Sequence, residues 1–207
     1  MKLLIIDTET TGLPKYKNSS IYKTDEWPYI IQLSWILWDI ENNNFINHEN
    51  DYIKINNNII IEDGSFKTHG ISRNYLNKYG IRLTESLNKL EKAMKECNLI
   101  VGHNISFDKR IIIVECIRRN IKFNWKNVFC TMKNSVELCQ IEKKNSNNEI
   151  YYKYPTLNEL HYYLFNTNPT NLHDAFVDII ICLRCYCKML YDKDIFKNNN
   201  EIKNLFT

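Results

Sequence analysis

Leu3-Leu4-Ile5-Ile6-Asp7-Thr8-Glu9-Thr10-Thr11-Gly12-Leu13 is a short apolar run that ends in two carboxylates, three threonines and a glycine. The run is too short for a helix and β-rich enough for a buried strand. Side chains two apart on a strand share a face, so Asp7 and Glu9 present paired carboxylates at the strand end. Adjacent like charges repel unless a cation sits between them. Thr10-Thr11-Gly12 then leaves the strand as a turn, with Gly12 free to take a positive φ. Alone, Asp-x-Glu also reads as an ordinary polar turn. Carboxylates further along the chain decide between the two.

Working outward, residues 29–39 are β-branched and aromatic and predict a second strand. Residues 14–28 before it form a polar loop with Tyr16, Tyr22 and Trp27. After the turn at Asn42-Asn43-Asn44, residues 45–55 predict a third strand, so the first three form an antiparallel meander. Residues 59–61 are short and ambiguous. Residues 67–72 read as a loop hinged at Gly70, with Ser72 capping a short helix through Tyr79. Residues 85–96 predict an amphipathic helix with Leu87, Leu90, Ala93 and Met94 on one face. A short strand at 98–102 leads to an apolar helix at about 108–119, with Asp108 near its first turn. Further elements are a strand at 128–130 and helices at 132–139, 156–165 and 172–190. Residues 140–154 read as an exposed insert, a candidate flap. The order predicts an α/β fold, a mixed central sheet with helices on both faces. One domain, residues 1–191, is followed by a polar tail at 192–207 that frays.

The 207 residues are 44% hydrophobic and 25% charged, which is globular rather than disordered. No apolar run approaches the roughly 18 residues of a membrane span. The opening residues are too short and too acidic for a secretory signal, so the expectation is an intracellular protein away from membranes. The net charge of +3 and pI near 8.4 favour a polyanionic partner only weakly. Seven cysteines sit mostly in apolar surroundings without zinc spacing, and predict buried free thiols in a reducing compartment. Asparagine runs at 42–44, 56–58 and 198–200 read as loop tips and tail.

Acidic residues stand at element ends in three separated places: Asp7 with Glu9, Asp108, and Asp178. Each adjoins apolar sequence that drives it inward, and buried carboxylates are costly without cations. Four converging carboxylates suit two hard divalent ions, which can activate water and stabilise a leaving oxygen about 4 Å apart. Asp7-Thr8-Glu9-Thr10-Thr11-Gly12-Leu13, His103-Asn104-Ile105-Ser106-Phe107-Asp108 and His173-Asp174-Ala175-Phe176-Val177-Asp178 resemble the three motifs of the DEDDh 3′→5′ exonucleases. That family includes the proofreading epsilon subunit of bacterial DNA polymerase III, and the resemblance spans roughly residues 2–190. It implies an RNase H-like fold and phosphodiester hydrolysis with two Mg²⁺, for which Mn²⁺ can substitute, releasing 5′-mononucleotides.

Position by position, the resemblance makes Asp7, Glu9 and Asp178 ligands of the catalytic ion. Asp7 bridges to a second ion held by Asp108. His173 matches the general base, a role suited to an imidazole near pH 7. On a continuous helix His173 and Asp178, five apart, diverge by about 140°. The pattern therefore requires His173 to precede the helix and Asp174 to cap it as a structural residue. The resemblance also assigns substrate contacts. The backbone near Thr10 holds the terminal 3′-hydroxyl, Leu13 wedges against the last base, and His69 lies beside the terminal nucleotide. His103, Asn104 and Phe107 line the site, although Phe107 reads equally as core. His48 and His161 read as ordinary surface or helix residues. The implied substrate is the 3′ end of single-stranded DNA, with RNA ends as the alternative and a DNA polymerase as candidate partner. A binding module without catalysis would have lost a carboxylate, and none is missing. A small-molecule kinase lacks its phosphate-binding loop here.

Overall fold

The computed structural model describes residues 1–169 and 172–197; Thr170, Asn171 and the tail from 198 onward lie outside the described residues. The opening stretch is strand β1, Lys2–Thr10, and it lies at the centre of a five-stranded sheet. β2 (Ile30–Asp39) pairs with it antiparallel, and β3 (Asn44–Tyr52) pairs antiparallel with β2. On its other side β4 (Leu99–Gly102) runs parallel to β1, and β5 (Val128–Cys130) parallel to β4. The expected meander and mixed sheet are both present.

Strand alternation sorts β1 between two cores. Leu4 and Ile6 join Leu33, Trp35 and Leu37 under α3 (Leu83–Glu96) and α4 (Ile105–Arg118). Leu3 and Ile5 join Ile36 and Trp38 under the long helix Ala175–Tyr191. Both faces of β1 and β2 are covered, which explains their nearly unbroken apolar runs. The same alternation carries Asp7 and Glu9 onto the face of the long helix, and Thr8 onto the face of α4.

Several expectations need correction. Residues 67–69, expected as loop, are the last turn of a helix: α1 (Asp63–His69) ends at Gly70, where φ is 70°. A glycine is favoured there because the left-handed cap strains other residues. Gly12 does not take a positive φ. A side chain there would instead meet the Glu62 carboxylate that lies against it. Residues 59–61 form no strand. Ser72 does cap α2 (Arg73–Tyr79), accepting the Tyr75 N–H at 3.1 Å. The helix expected at 132–139 is two short ones, α5 (Thr131–Asn134) and α6 (Val136–Cys139), broken at Ser135. The exposed insert holds a hairpin, β6 (Glu142–Lys144) with β7 (Ile150–Tyr152). α7 (Leu157–Phe165) follows with a capping box from Thr156 and Glu159. The last helix, α8 (Ala175–Tyr191), starts three residues later than its apolar pattern suggests.

Beyond α8, Asp194 pairs with Arg184 at 2.8 Å and Ile195 is buried against the sheet core, so the chain still packs on the domain past residue 191. All seven cysteines are free, and only Cys139 is not fully buried. Among the described residues no helix is long and apolar enough to cross a membrane.

Candidate active site

Three carboxylates meet at the end of β1. One oxygen from each of Asp7, Glu9 and Asp178 lies within 4.8 Å of the others. Asp7 and Glu9 arrive there by strand alternation, and Asp178 by its place in the first turn of α8. Asp108 comes from the opposite face. It is 3% exposed, and its Oδ1 accepts the Thr8 N–H at 3.0 Å and the Thr8 hydroxyl at 2.8 Å. Its charge still acts on Asp7, so the fourth carboxylate borders the cluster.

The start of α8 has the arrangement that the His173–Asp178 spacing requires. His173 precedes the helix with φ 72°, and Asp174 caps it, accepting the Phe176 N–H at 2.9 Å and the Val177 N–H at 3.3 Å. The His173 N–H donates to Asp178 Oδ2 at 3.3 Å. The His173 side chain is exposed, and its ring makes no hydrogen bond among the described residues. Asp174→Asn is expected to leave stability and activity nearly intact, because asparagine caps as well as aspartate. Asp178→Asn is expected to abolish activity. Equal losses in rate assays of the two folded variants would contradict the division.

The family model described as Exonuclease, of the RNase T type, matches residues 4–186. The chain belongs to the DEDDh exonuclease family. No curated protein matches it in sequence. Among solved structures it is similar to E. coli Exonuclease I in complex with a dA16 oligonucleotide, at 16% identity and TM-score 0.63. That match covers 99% of this chain and 45% of Exonuclease I, so the chain spans less than half of it. It is also similar to the nuclease domain of 3′hExo, a DEDDh family member bound to rAMP, at 15% identity, TM-score 0.65 and 94% of each chain. A 3′-exonuclease that recognises the histone mRNA stem-loop matches at 14% identity and TM-score 0.66, over 94% of this chain and 65% of that one. At such identities the likeness is one of fold, and that fold is RNase H-like.

The electrostatics of the exonuclease cluster point to cations. Burial, then the charges of Asp108, Asp178 and Glu9, hold the Asp7 carboxyl well above the usual range. Burial and the Asp178 charge push Glu9 up to about 8. Burial raises Asp108 and Asp178 each to about 7. Among the described residues no lysine or arginine forms a salt bridge with any of the four. Clustered oxygen donors with no histidine or cysteine among them fit a hard divalent cation.

The folded-state values lie above the unfolded ones of 3.8 and 4.5. Their stabilising contribution is therefore complete below about pH 4 and lost as pH rises through 7 to 8. A chelated sample is expected to lose melting temperature from pH 5 to pH 8. Mg²⁺ is expected to raise it more at pH 8, where the ligands release fewer protons on binding. Thermal melts read this; an equal Mg²⁺ effect at both pH values would contradict it.

Beside Glu9 lies a pocket of about 310 Å³, lined by Thr10, Gly12, Leu13, His69 and Phe107 among others. Four of the six expected substrate residues thus gather in one place. Leu13 is 73% exposed at its rim, and Phe107 also packs against the core beneath. His69 takes the Ile71 N–H on Nδ1 at 2.9 Å, and burial lowers its pKa. His103 is not among the residues lining this pocket. Its Nε2–H donates to the Pro155 carbonyl at 3.1 Å, so Nδ1 accepts from the Thr131 hydroxyl at 3.0 Å. Burial pushes it down to about 4, and the ring links Thr131 at the start of α5 to the loop before α7. Asn104 has its side chain exposed at the left-handed start of α4, outside the residues lining this pocket. A larger cavity of about 700 Å³ beside Tyr162 and Tyr163 holds none of the carboxylates.

The sequence reading missed the polar row that supports the site. Gln32 and Ser34 sit opposite Glu9 and Asp7 on β2 and are fully buried. Gln32 Nε2–H and the Ser34 hydroxyl both donate to Asn50 Oδ1, at 2.9 and 2.8 Å. Gln32 Oε1 accepts the Ala175 N–H at 3.3 Å, tying the start of α8 to the sheet. The signal was present: two polar residues, two apart, interrupt an otherwise apolar strand. On the other side, buried Glu115 accepts the Ile30 N–H at 3.2 Å and pairs with Arg118. Arg118 holds the Trp27 and Pro28 carbonyls, each at 2.7 Å, behind the Thr11–Tyr29 pairing.

Proposed function

We propose that this chain is a metal-dependent 3′→5′ exonuclease that removes 5′-mononucleotides from the 3′ end of single-stranded DNA. The observation that carries this reading is the meeting of Asp7, Glu9 and Asp178, with Glu9 also lining a pocket of about 310 Å³. Asp7, Glu9 and Asp178 would hold one Mg²⁺, and Asp7 with Asp108 a second; Mn²⁺ would serve in either place. Asp108 has Oδ2 for this purpose, because Thr8 occupies Oδ1. Bound divalent ions supply charge neutralisation, a more acidic water and stabilisation of the leaving oxygen.

The chain's own residues do the rest. Thr10 and Leu13 seat the terminal nucleoside, with His69 and Phe107 closing the pocket. His173, exposed just before α8 with its backbone on Asp178, takes the proton from the attacking water. The hydroxyl attacks phosphorus, the bond to the preceding 3′-oxygen breaks, that oxygen takes a proton from solvent to become the new 3′-hydroxyl, and a 5′-monophosphate leaves. Proofreading beside a DNA polymerase is the setting favoured by the resemblance of Thr10-Thr11-Gly12-Leu13 to the proofreading branch. An RNA substrate is the second reading, favoured by the rAMP bound to the similar nuclease domain of 3′hExo.

Matched single-stranded DNA and RNA dodecamers with Mg²⁺ separate the two. The expected result is a higher kcat/KM on DNA. A higher value on RNA would move the assignment to RNA ends, and hydrolysis of neither would overturn both.

A further inference from the structure

Outside the pocket, a cluster of tyrosines leads away from the carboxylates. β2 and β3 pair Gln32 with Tyr52, and β1 and β2 pair Glu9 with Gln32. Directly paired residues share a face, so Glu9, Gln32 and Tyr52 form one row across three strands. Tyr52 therefore stands about 10 Å from Glu9 on the same side of the sheet. Its hydroxyl donates to Asp174 at 3.4 Å, next to His173. Tyr75 on α2 packs edge-on against Tyr52 with centroids 4.7 Å apart, and Tyr79 lies 4.7 Å beyond Tyr75.

The outer two rings are open to solvent, Tyr75 by 40% and Tyr79 by 52%. Lys78 stands 4.9 Å from the Tyr79 ring centroid. Between Asp63 and Glu85 the chain carries Lys67, Arg73, Lys78 and Arg82 and no acidic residue. Arg73 is occupied with the Asn56 and Ile59 carbonyls; Lys67, Lys78 and Arg82 are exposed. Exposed aromatic rings with a cation beside them are what a single strand uses, bases stacking on rings and phosphates meeting cations.

We propose that α2 is a second binding surface, on which Tyr75 and Tyr79 stack bases upstream of the terminal nucleotide. It takes a single-stranded polynucleotide, and Tyr52 joins it to the catalytic end. The proposal rests on the exonuclease reading for its direction but not for its existence. Stacking does not require the 2′-hydroxyl, so DNA and RNA bind alike through these rings.

The test is fluorescence anisotropy of labelled eight-nucleotide oligothymidylate and oligouridylate with the full chain in chelator, where no hydrolysis occurs. Tyr79→Ala and Tyr75→Ala/Tyr79→Ala are expected to weaken binding roughly tenfold per ring removed. Tyr75→Phe/Tyr79→Phe is expected to bind like the parent, because the ring and not the hydroxyl carries the contact. With Mg²⁺, KM for the oligonucleotide rises in the alanine variants, while hydrolysis of thymidine 5′-p-nitrophenyl phosphate, too small to reach α2, is unchanged. Parent-like binding by the alanine variants, or no binding by the parent, would overturn the proposal. Binding without any hydrolysis would overturn the exonuclease reading and leave the surface standing.

Discussion

Asp7→Asn is expected to lower the rate of 3′-end hydrolysis about a thousandfold or more while making the metal-free protein harder to melt. Both effects come from the same crowding. The charges of Asp108, Asp178, Glu9 and Asp174 all bear on Asp7. Asparagine keeps the shape and removes the charge, so repulsion among the remaining carboxylates falls. The same change weakens the hold on divalent ions, which supply several kcal/mol of transition-state stabilisation, and about 4 kcal/mol is a thousandfold in rate. Opposite signs make the variant informative, since an inactive protein that is more stable has not lost activity by unfolding. Steady-state rates on an oligonucleotide, with melts in chelator, test the pair. Activity within tenfold of the parent would remove Asp7 from the site.

His173→Ala is the second large effect, with an expected loss of about 10²–10⁴-fold in kcat. His173 lies outside α8 at φ 72°, and its ring makes no hydrogen bond among the described residues. Removing the ring therefore leaves packing and capping in place, and melting temperature should hold. The helix is held by Asp174, and Asp178 keeps the His173 backbone N–H whatever the side chain. Mn²⁺ affinity, read by calorimetry, should also hold, whereas Asp178→Asn should lose it. A His173→Ala variant with parent kcat would exclude the ring as the base.

How legible this was in the sequence depended on range. β1, with its paired carboxylates, could be read from a few residues because alternation is a local rule. The cap at Asp174 followed from a spacing conflict, since five residues on one helix cannot point His173 and Asp178 at the same place. The place of Asp108 was less legible. Its motif announces an acid at a helix start, but not that α4 lies on the face opposite α8, where Thr8 meets it first. The partners of His103 were no more legible. Its ring is committed to Thr131 and Pro155, 28 and 52 residues away, and no local pattern reports that. Helix α1 was hidden because none of its residues is buried, which leaves no apolar stripe to recognise. The Gln32–Ser34–Asn50 row was visible as interrupted apolar sequence, but its meaning needed the register of three strands.

The central claim is that clustered carboxylates cut a single strand from its 3′ end with divalent metal. Its most direct test follows 5′-labelled and 3′-labelled single strands with Mg²⁺, with chelator, and with Asp7→Asn. The account predicts that the 3′ label appears at once as mononucleotide while the 5′ label shortens stepwise, and that chelator and Asp7→Asn stop both. Internal cuts, release of the 5′ label first, or full activity in chelator would contradict it.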